Sequence, residues 1–61
     1  MLKQLRQENN LTQRKLSEII GVKQSTVCMW ELKKATPPIN KIGKLAKALN
    51  VSEAEIIACF K

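Results

Sequence analysis

The stretch Gln13-Arg14-Lys15-Leu16-Ser17-Glu18-Ile19-Ile20-Gly21-Val22-Lys23-Gln24-Ser25-Thr26-Val27-Cys28-Met29-Trp30-Glu31-Leu32 decides the fold. Leu16, Ile19 and Ile20 fall at i, i+3 and i+4, which predicts one buried stripe on a helix. Thr12 just upstream is a capping residue, its hydroxyl suited to accept an orphan backbone N–H. Gly21 follows the stripe at the place where a left-handed residue ends a helix without Cβ strain. Val22 and Lys23 leave only a brief turn before a second helix, Gln24 to Leu32, whose inner face is marked by Val27 and Trp30. So short a turn does not let the two helices fold back antiparallel, and a steep crossing is expected.

Working outward, Leu2 and Leu5 share a face of a short first helix that runs out at Glu8-Asn9-Asn10. Downstream, Pro37 and Pro38 break the chain, and Ile42, Leu45, Ala46 and Leu49 form a stripe at i, i+3, i+4 and i+7. Asn50 ends that helix, and Ser52 with Glu55 forms a capping box for a fifth. There is no strand alternation, low-complexity tract, linker or repeat. The expected architecture is all-α, five short helices in one domain over residues 1–61. Residues 13–32 have the geometry of a helix-turn-helix. Leu16, Ile20, Val22, Val27 and Trp30 must then hold the two helices together, while Ser17 is small enough for close approach. Gln24, Ser25, Cys28 and Met29 fall outside the inner stripe, free to meet a groove. A major groove about 12 Å wide admits such a helix.

Composition narrows the partner. A chain of 61 residues buries only roughly 60% of its unfolded surface and needs tight packing or a partner subunit. Eleven Lys and Arg against five Asp and Glu give a net charge of +6, which suits a polyanion or simply a basic, soluble surface. The only aromatics are Trp30 and Phe60, too few for a stacking platform on single strands. Trp30 reads as core, because it lies three residues from Val27. With no His, and with Cys28 and Cys59 far apart, no metal site, disulfide framework or cofactor is expected. No nucleophile–base pair is visible, so an enzyme is not expected, nor is a small-molecule ligand. Lys3 and Arg6 interrupt any leader-like start, and no run approaches the ~20 apolar residues of a membrane span. A cationic membrane-surface helix fits poorly with Trp30 and the interleaved acids. The expected setting is cytoplasmic.

These segments together resemble the phage repressor and Cro family of DNA-binding domains, also called the Xre family. The likeness runs through Leu5-Arg6, Leu11-Thr12-Gln13, Leu16, Gly21-Val22, Ser25-Thr26-Val27, Trp30-Glu31 and Pro37. It closes on Leu45-Ala46-Lys47-Ala48-Leu49-Asn50-Val51-Ser52, all in register without a gap. The resemblance implies a lambda-repressor-like five-helix domain that binds a palindromic operator in double-stranded DNA as a dimer and regulates transcription. The setting would be the nucleoid of a bacterium or phage-infected host. It implies that Gln13, opening the second helix, contacts a phosphate, and that Gln24 lies nearest the base edges, where Gln binds adenine N6 and N7 bidentately. Ser25 is a second base contact. Met29, one turn on, meets a thymine methyl or else serves as a packing residue, and Cys28 lies at the groove's edge. The resemblance also implies an Arg6–Glu31 pair clamping the first helix to the third, the alternative being two unrelated surface charges.

Lys23, Lys33, Lys34 and Lys41 flank the recognition helix and are expected at phosphates, whereas Lys3, Lys47 and Lys61 read as solubility charges and Lys44 as either. Ile56 and Phe60 repeat at i+4 with Ile57 beside them, which predicts a homodimer interface, at least on DNA. Some positions depart from the family pattern. Lys23 stands where a Ser or Thr cap is usual, Lys33 where Gly is frequent, and Pro38 where a cap normally opens the fourth helix. Gly43 sits inside that helix for no reason visible in the sequence. The competing reading is a helical protein-interaction module or an antitoxin-type component, whose main partner is another protein.

Overall fold

A computed structural model describes residues 2–60; the expectation for Lys61 lies outside the described residues. The chain forms α1 (Leu2–Glu8), α2 (Gln13–Ile20), α3 (Gln24–Glu31), α4 (Ile39–Leu49) and α5 (Glu53–Ala58), with no strand among the described residues. Local signals set most boundaries. The Thr12 hydroxyl accepts the Lys15 N–H at 3.0 Å and opens α2. Gly21, at φ 84°, closes it, and the Gly21 and Val22 N–H groups both donate to the Ser17 carbonyl. Nothing lies within 4 Å of where a Gly21 Cβ would stand, so the backbone angle alone favours glycine there. Asn50, at φ 57°, ends α4 in the same left-handed way, and the Ser52 hydroxyl accepts the Glu55 N–H at 3.2 Å to open α5. Pro38 is the N-cap of α4 and offers no side-chain bond.

The core is one cluster: Leu2, Leu16, Ile20, Val27, Trp30, Leu45, Ala46, Leu49 and Ile56. Around it α2 packs on α3 and α4, α4 on α5, and α1 on α3, within extents of 23 × 22 × 19 Å. Truncating a fully enclosed member such as Leu16 costs about 2–5 kcal/mol, from lost burial plus the cavity left behind. One tie between elements is polar. The Asn9 side-chain amide donates to the Leu5 carbonyl at 2.8 Å and the Leu49 carbonyl at 2.9 Å, joining the ends of α1 and α4.

Two expectations need correction. Ile19 is 47% exposed, not part of a buried stripe with Leu16 and Ile20. The buried arc of α2 is Leu16, Ser17 and Ile20. At about 3.6 residues per turn, an arc that includes Ser17 leaves Ile19 on its flank. Ile56, expected at a dimer interface with Ile57 and Phe60, is instead fully enclosed in the core, where it anchors α5 against the rest of the fold. Ile57 is exposed, and Phe60 is half-buried and packed on the core.

Candidate nucleic-acid interface

The two sides of α3 differ sharply. Val27 and Trp30 face inward and are 0% and 2% exposed. Gln24, Ser25 and Met29 are exposed, and Cys28 is half-buried. Because buried anchors sit one turn apart, the outer side chains are held by a helix that does not roll. The helix opens without a side-chain cap, since Lys23 at the N-cap makes no such bond. Its first N–H groups are therefore left without that internal partner, at a cost of about 1 kcal/mol relative to a Ser or Thr cap.

Cations bracket this helix. Lys23 precedes it, and Lys33 and Lys34 follow it, all three exposed; Lys41, in the first turn of α4, is half-buried. The turn after α3 is left-handed at Lys33, with φ 60°, and the Lys34 N–H closes it by donating to the Met29 carbonyl at 2.9 Å. A lysine there carries backbone strain that glycine would not. Lys44 shares an opening of about 260 Å³ with Ile19, Lys47 and Ala48, apart from the residues expected at DNA. A second opening of about 280 Å³ lies between α1 and α5, lined by Leu5, Ala58 and Cys59 with Gln4, Glu8 and Glu55. Its two carboxylates oppose a phosphate.

Behind α3 lies a polar clamp. Arg6 Nε donates to Glu31 Oε2 at 2.6 Å and Nη2 to Oε1 at 3.4 Å, with the two side chains only 9% and 5% exposed. Arg6 Nη1 also donates to the Leu11 carbonyl at 2.7 Å, so one guanidinium joins α1, the turn before α2, and α3. Gln13 Nε2 donates to Glu31 Oε1 at 2.9 Å, which brings α2 into the same group. No buried side-chain polar atom among the described residues lacks a partner. Loss of one member of such a pair leaves an unmatched buried charge. The exposed Arg14–Glu18 pair at 3.6 Å on α2 is of a different kind, and contributes little.

The residues named from sequence thus divide by position. Gln24, Ser25 and Met29 share the outer side of α3, Lys23, Lys33 and Lys34 stand at its ends, and Gln13 joins Arg6 and Glu31. Sequence reading missed the Gln13–Glu31 bond and the Asn9 tie, whose partners lie 18 and 40 residues apart and leave no periodic signal. Among the described residues no helix is long and apolar enough to cross a membrane.

A family model described as helix-turn-helix matches residues 2–56, spanning all of α1 to α4 and reaching into α5. Neither the curated proteins nor the solved structures compared with the chain gave a match. With that match across most of its length, and with α2 and α3 packed around the Gly21 turn, the chain belongs to the Cro/Xre-like helix-turn-helix family of DNA-binding domains.

Proposed function

We propose that the protein is a sequence-specific regulator of the Cro/repressor type, laying α3 in the major groove of a palindromic operator as a homodimer. The observation that carries this reading is the two-sidedness of α3: Val27 and Trp30 lock one side, while Gln24, Ser25 and Met29 stand free on the other. In this reading Gln24 binds an adenine edge bidentately, Ser25 donates or accepts at a neighbouring base, and Met29 touches a thymine methyl. Cys28 lies at the groove's edge. Gln13, Lys23, Lys33, Lys34 and Lys41 engage phosphates, which fix the register and carry no sequence information themselves. Net charge of +6 supplies the attraction that brings the protein to any duplex. The exposed Ile57 and the half-buried Phe60 pair two copies. That pairing would set the two recognition helices about 34 Å apart, one turn of DNA. The proposed setting is the cytoplasm of a bacterium or phage-infected host.

The test is selection of bound sequences from a random duplex pool. The expected result is enrichment of a palindrome with half-sites one helical turn apart. A pool that stays random after selection would contradict the reading and favour a role in which the main partner is a protein.

A further inference from the structure

We propose that Glu31 is a positioning residue for DNA binding: its carboxylate holds the Gln13 amide in the orientation from which that amide donates to a DNA phosphate. The proposal rests on the reading of Gln13 as a phosphate contact and adds what sets its geometry. Glu31 Oε1 accepts from Gln13 Nε2 at 2.9 Å, while Oε2 is held by Arg6 Nε at 2.6 Å. A carboxylate only accepts hydrogen bonds, so the amide must turn its NH₂ rather than its carbonyl toward Glu31. One N–H is used there. The other remains on the same nitrogen, on a side chain that is only half-buried and so still reachable by a ligand.

Two consequences follow from general chemistry. A free glutamine side chain samples many rotamers and loses that freedom when it binds; a side chain ordered in the free protein loses less on binding. A lone carboxylate behind a phosphate contact would repel the phosphate. Here Arg6 matches the charge, so Glu31 orients Gln13 without presenting an unmatched negative charge to DNA. The clamp between α1 and α3 and the phosphate contact from α2 therefore share one carboxylate.

The experiment removes the pair without changing net charge. In the full chain, Arg6→Met with Glu31→Met deletes one positive and one negative group and replaces a buried ion pair by apolar side chains of similar length. Such replacements leave small proteins folded and often no less stable. Combining this pair change with Gln13→Ala gives a cycle of four proteins, each titrated with a mixed-sequence DNA duplex, since a phosphate contact is independent of sequence. Gln13→Ala is expected to weaken binding about fivefold. The pair change is expected to weaken binding about threefold when Gln13 is present and to have no effect when Gln13 is already alanine. An equal effect in both backgrounds would overturn the positioning role while leaving the phosphate contact standing. No effect of Gln13→Ala would overturn the contact itself, and the proposal with it. A second measurement needs no variant: nitrogen relaxation of the side-chain amides in the free protein. Gln13 is expected to be nearly as ordered as the backbone and well above the exposed Gln24, and equal mobility of the two would overturn the proposal.

Discussion

Two left-handed turns bracket α3, and they are built from different residues. Before the helix the chain turns at Gly21, φ 84°; after it, at Lys33, φ 60°. The other left-handed positions among the described residues, Asn10 and Asn50, use the residue type that tolerates this conformation best after glycine. Lys33 is the exception among them. Lys34 beside it and Lys23 at the opposite end of α3 are also cations, and Lys23 likewise displaces a better local choice, a capping Ser or Thr. Where a residue breaks a local rule, the compensation is sought in function. At both ends of α3 the exchange has the same form: some backbone stability is given up, and a positive charge is placed beside the helix that offers Gln24.

The largest expected effect concerns what holds α3 between those turns. Glu31→Ala leaves the 8%-exposed Arg6 without its partner and is expected to destabilise the fold by about 3 kcal/mol in denaturant or thermal unfolding. A double-mutant cycle with Arg6→Ala should show strong coupling, and additive losses would mean that the clamp carries no shared energy.

The turns themselves come next. Gly21→Ala meets no neighbouring atom, so its cost is purely the left-handed backbone, about 1–2 kcal/mol. Lys33→Gly should do the opposite and stabilise by up to about 1 kcal/mol, a rise of roughly 4–8 °C per kcal/mol for a domain of this size. The same substitution should weaken binding to any DNA duplex and flatten its salt dependence by about one unit per subunit. If Lys33→Gly gained stability with no loss of binding, the exchange argued for that turn would be wrong.

The smallest effect is at a glycine that needs no special backbone angle. A Cβ at Gly43 would meet Glu53 Oε2 at 3.1 Å, the far end of an exposed and flexible side chain. Glu53 can move aside, so Gly43→Ala should stabilise α4 by up to about 1 kcal/mol, read as a raised Tm with DNA binding unchanged. A drop in Tm would show that Glu53 is held more firmly than its exposure suggests.

Legibility in the sequence followed the range of the interaction. The Thr12 and Ser52 caps and the Gly21 and Asn50 turns were readable because each depends on residues within about four positions. The inner pair Val27 and Trp30 was readable too, from its spacing. Adjacent isoleucines were not. Ile19 beside Ile20, and Ile57 beside Ile56, differ only in which side of a short helix meets its neighbours, and tertiary packing decides that. On α2 the buried arc leans toward Ser17, a small polar residue that carries no apolar signal. The polar joints were hidden for a related reason. Gln13 meets Glu31, and Asn9 meets the Leu49 carbonyl, only after the helices have packed.

The measurement that tests the account most directly separates base contact from phosphate contact on the two kinds of residue around α3. Gln24→Ala and Lys34→Ala are titrated against single-base variants of the selected operator at several salt concentrations, with folding checked independently. Gln24→Ala should lower operator affinity and relax discrimination at one base pair per half-site by ~1–3 kcal/mol, leaving the salt slope nearly unchanged. Lys34→Ala should weaken specific and non-specific duplexes alike and flatten the slope by about one unit per subunit. A specificity profile that survives Gln24→Ala intact would contradict the assignment of α3 as the helix that reads the bases.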